Sequence, residues 1–317
     1  MGKLWAVYMG NTMGKCVLRY FLKHVDDPDV KKVLNTAIKI NEAFIKSVIS
    51  FFKDADFPIP IGFTDEDVNV DAPRLFHDEF YLHYLQYVGK AGLSIYSVAI
   101  PLVTKKSIRD FFMYSMNETA KLLADTNDVL NKKGLLANSP QVSNPNENDF
   151  VDKQHYLAGF LGNKRPLHGI EVAHLYGNLN NDVTSKALII GFAQTARKER
   201  VQKYFERGKN INQKHIEKFS KLLSADGLPS PTLLDHLVTT SATPPFSDKL
   251  MVFHKIDMFS MKIREYANGV SLDGRRDLGA LFARCILDVS LFVEDGANIL
   301  IDHNWMEQPP SSPNRNT

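Results

Sequence analysis

Histidines and a Glu-x-x-His spacing are the residues of this sequence best suited to binding a metal ion. Glu171 and His174 form its one Glu-x-x-His pair, and His215, His254 and Glu294 follow further along the chain. A di-iron site in a four-helix bundle needs a Glu from each of two helices and a Glu-x-x-His from each of the other two. That ligand set is incomplete here, because no acidic residue stands three positions before His215.

The elements that must position these residues come from an internal repeat. A shift of 171 residues aligns positions 3–60 with 174–231 without a gap, and ten of the 58 pairs are identical. Phe76 then aligns with Phe246, and Ile108 with Arg275, although the spacing between these two landmarks differs by three residues. A repeat of this length indicates two copies of one structural unit.

Each copy is predicted to form four helices. Apolar residues recur at every third or fourth position between 201 and 222, as on the buried face of an amphipathic helix. Asp27 before Pro28, and Ser247 before an apolar run, are typical helix starts. Gly134 and Asn304 stand where a left-handed residue would end a helix.

A proline-rich connection follows the second helix of each copy, at 57–75 and 228–245. Eighteen extended residues can span ~60 Å, whereas a helix of about 27 residues is ~40 Å long. Each connection can therefore cross a whole bundle. The sequence predicts an all-α chain of two tandem ferritin-like four-helix bundles with long crossover loops. We place the bundles at 1–136 and 165–306, a linker at 137–164 and a disordered tail at 307–317.

The crossover bears on the metal question. It would place His254 and Glu294 about ten residues along the bundle from His174 and His215, or ~15 Å, too far for one mononuclear site. We therefore predict hydrogen-bonded core or rim histidines, with metal binding by these residues and Glu171 as the alternative. Phe44 and Tyr84 occupy the places of His215 and His254 in the first copy, so any site is expected in the second bundle. His215 should point inward, bonded to Glu171 or His174.

Composition and short motifs narrow the function classes. The 38 Lys and Arg residues nearly balance 36 Asp and Glu, for a net charge of +2, which argues against a nucleic-acid partner. The longest uncharged apolar stretch, 91–104, has 14 residues, fewer than the ~20 of a membrane span. Cys16 and Cys285 are expected to be reduced core thiols. No phosphate-binding loop or nucleophile elbow occurs.

Several longer stretches carry a family resemblance. They are Phe-Pro-Ile-Pro-Ile-Gly-Phe-Thr at 57–64, Ala-Pro-Arg-Leu-Phe at 72–76, Gly-Asn-Lys-Arg-Pro-Leu at 162–167, Lys-Tyr-Phe-Glu-Arg-Gly-Lys at 203–209, Ser-Asp-Lys-Leu-Met at 247–251 and Glu-Asp-Gly-Ala-Asn-Ile at 294–299. Nearly the whole chain resembles the two-repeat proteins of Gram-positive spore formers called domain of unknown function 3231. The resemblance implies tandem ferritin-like bundles and, through loose similarity to F-type spore coat proteins, a role in sporulation. It implies no activity.

These observations favour a non-enzymatic structural or interaction protein of a spore-forming bacterium. We expect a cytoplasmic or spore-associated protein with protein partners, no cofactor, no nucleic acid and no specific small molecule. The alternative is a ferritin-like metal-binding protein or oxidoreductase that uses the second bundle. The two differ in whether the second-bundle histidines converge.

Overall fold

The structure, a computed structural model, describes residues 1–136, 139–160 and 164–311. Within these ranges the chain forms eight α-helices and no strand, which confirms the all-α prediction. The first repeat contains α1 (Gly2–His24), α2 (Pro28–Lys53), α3 (Asp78–Ala99) and α4 (Lys106–Lys132), and the second contains α5 (Gly169–Thr195), α6 (Glu199–Ala225), α7 (Asp248–Leu272) and α8 (Arg276–Asp302). None of the described helices combines the length and hydropathy that crossing a bilayer would require.

The helices begin and end at the residues that their local chemistry selects. Asp27 accepts hydrogen bonds from the Asp29 and Val30 amides, with Pro28 as the first helical residue, and Ser247 accepts one from the Leu250 amide at 3.0 Å. These side chains satisfy amides that the first turn of a helix leaves unpaired. After α4 and α8, Gly134 and Asn304 have φ angles of 67° and 55°, as predicted for left-handed caps.

The register of the fourth helix corrects the sequence alignment. Buried positions of α4 and α8 coincide at a shift of 170 residues, so Leu278, not Arg275, is the counterpart of Ile108. The same shift relates the two left-handed caps. The corresponding buried pairs are Ile108 and Leu278, Phe112 and Phe282, Ser115 and Cys285, Leu122 and Phe292, and Leu130 and Leu300.

Both proline-rich connections are crossovers, as predicted. The Asp78 carboxylate, in the first turn of α3, accepts hydrogen bonds from the Asp26 and Asp27 amides at 3.1 and 2.7 Å. Because those amides lie at the turn before α2, the loop has returned along the length of α2. In the second repeat, Asp248 accepts bonds from the Arg197 and Lys198 amides in the same way.

The two crossover loops hydrogen-bond to each other. The Asn69 amide donates to the Pro245 carbonyl at 2.8 Å, and the Ser247 amide donates to the Asp67 carbonyl at 3.0 Å. An equivalent pair joins His77 to Leu237 and Thr239 to Leu75, each at 2.9 Å. These contacts are isolated bridges, one between Val68 and Phe246 and one between Phe76 and Val238. A shift of 170 residues takes Val68 to Val238 and Phe76 to Phe246, so it converts one bridge into the other. The repeats are therefore related by a pseudo-twofold axis.

Side chains on α3 and α7 fill the space at this axis. The Tyr84 hydroxyl lies 2.9 Å from Nε2 of His254, its counterpart in the other repeat. Nearby, the Phe76 ring covers Gly191 of α5 so closely that a Cβ there would lie 2.5 Å from the ring. The bundles therefore share one continuous core at their interface.

The predicted linker and tail are described in part. Residues 137, 138 and 161–163 of the linker and 312–317 of the tail lie outside the described residues. Glu307, placed in the tail by the sequence prediction, accepts hydrogen bonds from the Ile61 and Gly62 amides at 2.9 and 2.6 Å. The domain limits stay a prediction.

Candidate functional site

The five candidate ligands from the sequence are not brought together. Glu171 is fully buried in the first turn of α5. Its carboxylate accepts a hydrogen bond from the His168 amide at 2.9 Å and forms an ion pair with Arg165 at 2.7 Å. Its backbone and side-chain partners hold it in a structural role. Glu294 is exposed on α8.

The three histidines have three separate partners. His174 pairs with Asp273 at 2.7 Å, and His254 bonds Tyr84 across the axis. His215 is fully buried, which confirms its predicted inward orientation. Its Nδ1 lies 3.0 Å from the Tyr266 hydroxyl and its Nε2 lies 3.5 Å from Asp288, so the predicted partners Glu171 and His174 were wrong. In the described residues, no group of three or more His, Cys, Asp or Glu could hold a metal ion.

A buried charged cluster occupies the core of the second bundle instead. The Lys262 ammonium on α7 donates to Asp182 on α5 at 2.6 Å and to the Asn212 side-chain oxygen on α6. Tyr266 donates to the same carboxylate, 3.1 Å from each oxygen. Asp182 and Lys262 are both 0% exposed. Burial lowers the pKa of Lys262, and the adjacent carboxylate opposes this shift.

A second buried lysine, Lys255, lies beside this cluster and, among the described residues, has no carboxylate partner. Lys255 donates to the Ser185 hydroxyl at 2.8 Å and lies 5.5 Å from the ring centroid of Tyr87, which reaches across from α3. Burial, reinforced by the nearby Lys262 charge, lowers the pKa of Lys255 well below its usual value. Lys262, which has a carboxylate partner, is therefore better placed than Lys255 to carry a positive charge.

Sequence reasoning missed both lysines, although a signal was present. Lys255 and Lys262 are seven residues apart, two turns of a helix, and so recur on one face. That face also carries Met251, Met258 and Tyr266, all buried. A lysine repeated on an apolar stripe was the available indication of a buried polar cluster.

The first bundle lacks these charges at the corresponding positions. In the first repeat, a leucine and a glycine stand at the positions of the two lysines, and an asparagine stands at the position of the aspartate. From first to second bundle, the pairs are Asn11 and Asp182, Gly14 and Ser185, Asn41 and Asn212, Leu85 and Lys255, Gly92 and Lys262, and Tyr96 and Tyr266. Only the tyrosine and the α2/α6 asparagine are retained.

A cavity of about 110 Å³ opens in the first bundle beside Gly92. Its wall is largely apolar, and its polar side chains are Asn11, Asn41, Tyr84, Tyr96, Thr119 and Asp257. The amide nitrogens of both asparagines already donate to backbone carbonyls, at 2.8 and 3.1 Å. Their side-chain oxygens therefore remain as acceptors. Burial raises the pKa of Tyr96 to about 12, so its hydroxyl is neutral.

Asp257 enters this cavity from the other repeat. It lies on α7 at the position equivalent to Tyr87, so each of these two side chains reaches the neighbouring bundle across the axis. Burial raises the pKa of Asp257, and Arg264 partly opposes the shift. Among the described residues no cation lies within ion-pair distance of its carboxylate. This cavity lies in the first bundle, whereas the sequence prediction placed any site in the second, where a wider cleft of about 650 Å³ lies between the ends of α6 and α8.

Comparison with known proteins places this architecture in a family. Residues 1–147 and 156–317 each match the family model described as protein of unknown function DUF3231. The chain belongs to the DUF3231 family. The two matched segments coincide with the two repeats, as the resemblance in the sequence indicated, and the family carries no assigned activity.

One solved structure gives a further likeness to this DUF3231 chain. It is a protein of Bacillus halodurans C-125 assigned provisionally to the spore coat, 16% identical, with a TM-score of 0.42, covering 47% of this chain and 98% of that one. A TM-score at this level supports no conclusion about the present chain. No curated protein matches the sequence.

Substituting each of the two buried lysines by methionine should change the free energy of unfolding by very different amounts. Lys262→Met would leave Asp182 as a buried unpaired carboxylate, so we expect a loss of about 3–5 kcal/mol in the free energy of unfolding. Lys255→Met is the matched control and should change stability by less than about 1 kcal/mol, because its equivalent is Leu85. Urea denaturation measures both. Adding Asp182→Asn to Lys262→Met should restore most of the loss; equal losses for the two lysines would contradict this account.

His215 should make the stability of the protein depend on pH. Burial lowers its pKa, so the unfolded chain binds the proton more readily than the folded one. The resulting stability is present above the unfolded pKa of about 6.5 and is lost as the pH falls below it. In His215→Phe, the fall in unfolding free energy between pH 7 and pH 5 should therefore be smaller than in the wild type.

At pH 7 the same variant should remain within about 1 kcal/mol of the wild type. Tyr266 keeps its bonds to Asp182, and Asp288 keeps Lys214 at 2.9 Å. The exposed His155 provides a matched control, and His155→Phe should leave the pH dependence unchanged. Identical pH profiles for wild type and His215→Phe would refute the interpretation.

Proposed function

We propose that this protein is a non-enzymatic binding protein that holds a small organic molecule in the core of its first bundle. The observation that carries the proposal is the contrast between two equivalent positions. Lys262 fills the core of the second bundle, whereas its counterpart Gly92 lines a cavity of about 110 Å³ in the first, with the Tyr96 ring packed beside it. The two bundles share their helix order and crossover, so the cavity results from differences in side chains and not from a different arrangement of helices.

The energetics of packing support a bound molecule. An unfilled core cavity costs about 24 cal/mol per Å³, so a space of this size corresponds to about 2–3 kcal/mol. A ligand that restores the missing contacts offsets this cost and stabilises the folded chain by mass action. The mixture of an apolar wall with a few polar groups is typical of small-molecule sites.

The surroundings of the candidate ligands, all of them among the described residues, do not favour the alternative of a metalloprotein or oxidoreductase. The crossover connectivity supports the ferritin-like assignment. However, the core carboxylate Asp182 has the Lys262 ammonium as its cation, and the candidate ligands Glu171, His174, His215, His254 and Glu294 have separate surroundings. The cysteines give no redox pair, since Cys16 and Cys285 are both free and buried, and burial raises the pKa of their thiols to about 11 and about 12.

A structural or interaction role in the spore is the cellular part of this proposal. Its support is the resemblance to two-repeat proteins of spore formers. Immunoblotting of fractions from a sporulating culture tests it: the protein should appear after sporulation begins and remain with washed spores. Equal amounts in vegetative cells, with none on spores, would contradict a spore role without affecting the cavity.

Xenon tests whether the cavity admits a guest. Apolar core cavities of about 150 Å³ bind xenon, so ¹²⁹Xe NMR of the wild-type protein should show a specific bound site. Gly10→Leu should abolish it, because Gly10 lines the cavity and no atom lies within 4 Å of its Cβ position. Gly279 is equally open but lies outside the cavity, so Gly279→Leu is the control. Absence of a bound site, or its persistence in Gly10→Leu, would refute the proposal.

A further inference from the structure

We infer that the molecule bound in the first-bundle cavity is a short aliphatic primary amine, held as its ammonium ion. The inference rests on the proposed function and names the ligand of that site. Its starting point is the second bundle, where a chain of four methylenes ending in an ammonium already fills the equivalent space as the Lys262 side chain. That side chain is fully buried, so it serves as an internal example of a ligand that this frame accommodates.

The contacts of Lys262 define what the frame offers an ammonium. One donated bond goes to Asp182 and one to the side-chain oxygen of Asn212. The ammonium also lies 4.4 Å from the ring centroid of Phe259, a favourable position for a cation. An ammonium has three donors and no acceptor, so it matches a site made of oxygens and a ring face.

The first bundle retains acceptors and lacks the donor. Asn41 corresponds to Asn212, and its amide nitrogen donates to the Asn11 carbonyl at 3.1 Å, which leaves its side-chain oxygen as an acceptor. Tyr96 corresponds to Tyr266 and also lines the cavity. Gly92 takes the place of Lys262, so no side chain of this bundle supplies the ammonium that the second bundle contains.

A carboxyl group is present but comes from a different helix. Asn11 replaces the carboxylate of Asp182, while Asp257 reaches the cavity from α7. Asp257 is partly exposed to solvent and forms no ion pair or hydrogen bond with any of the residues described. A carboxylate in such surroundings is stabilised by a cation and destabilised by a second anion. The charge of the site therefore selects an ammonium over a carboxylate or phosphate ligand.

The volume limits the length of the amine. A core cavity of about 150 Å³ accepts the six carbons of benzene, so about 110 Å³ accommodates about four to five non-hydrogen atoms. n-Butylamine has five and equals the Lys262 side chain from Cβ to Nζ. n-Octylamine has nine and exceeds the space. Apolar methylenes would face the apolar wall, which includes Leu85 and Met258.

The experiment compares amines and an alcohol on the full chain by methyl NMR. Met13 and Met258 line the cavity, so their methyl signals report occupancy. n-Butylammonium chloride should bind at least about ten-fold more tightly than 1-butanol, because charge-assisted hydrogen bonds are stronger than neutral ones. n-Octylammonium chloride should not shift these signals.

Two variants test the assigned groups. Asp257→Asn should reduce n-butylammonium affinity to that of 1-butanol, whereas Asp54→Asn, at an exposed position without a side-chain partner, should leave it unchanged. Gly92→Lys should abolish binding by supplying the amine within the chain. If Gly92→Lys does not fold, the Asp257 comparison decides the question alone.

The remaining outcomes separate this inference from the proposed function. If n-butylammonium and 1-butanol bind equally well, or if Asp257→Asn has no effect, the amine assignment is wrong and the cavity remains a binding site. If neither probe binds but xenon does, the amine assignment is again wrong. If no probe and no xenon binds, both proposals are overturned.

Discussion

The pairing of the two crossover loops is the constraint on which the rest of the molecule depends. Four backbone hydrogen bonds, between residues about 170 positions apart, fix the repeats about a pseudo-twofold axis. This pairing presses α3 against α7 and brings Tyr84 to His254. It also carries Tyr87 into the second bundle and Asp257 into the first. Neither core is therefore built by its own repeat alone, and the chemistry of each depends on the position of the other.

The cores of the two bundles differ in whether their carboxylate has an ion-pair partner. The second compensates internally, since Lys262 and Asp182 form an ion pair with further hydrogen bonds to Tyr266 and Asn212. A buried pair of this kind persists only when its remaining polar atoms are satisfied. The first core has lost the lysine and gained the carboxylate of Asp257, with open space beside it. The same helix arrangement thus contains a paired carboxylate in the second bundle and, among the residues described, an unpaired one in the first.

Much of the fold follows from local sequence chemistry. Asp27 with Pro28 and the Ser247 cap mark helix starts without reference to tertiary structure, and the proline-rich connections could be recognised as crossovers from their length. The register of α8 could not, because its charged start resembles that of α4 when displaced by three residues. The buried positions decide it, and burial is a tertiary property.

The candidate site was harder to predict for a related reason. Histidine and glutamate attract attention as metal ligands, whereas lysine is usually a surface residue. Lys262 is buried against Asp182 on α5 and Asn212 on α6, and Lys255 against Ser185 on α5; the sequence of α7 alone does not reveal these partners on other helices. The lining of the cavity combines Gly92, Asn41 and, from the other repeat, Asp257. No linear spacing relates those three residues.

The shared core also affects the order of events during synthesis. The first repeat leaves the ribosome before α7 exists, so Tyr84 and Tyr87 lack their second-repeat partners, His254 and Lys255, until some 170 further residues have been made. Contacts of such large sequence separation form slowly, and unpaired apolar surface is prone to aggregation in the interval. A nascent chain stalled between the repeats would present the α3 face, with an unpaired loop edge beside it, to chaperones or to another copy of itself.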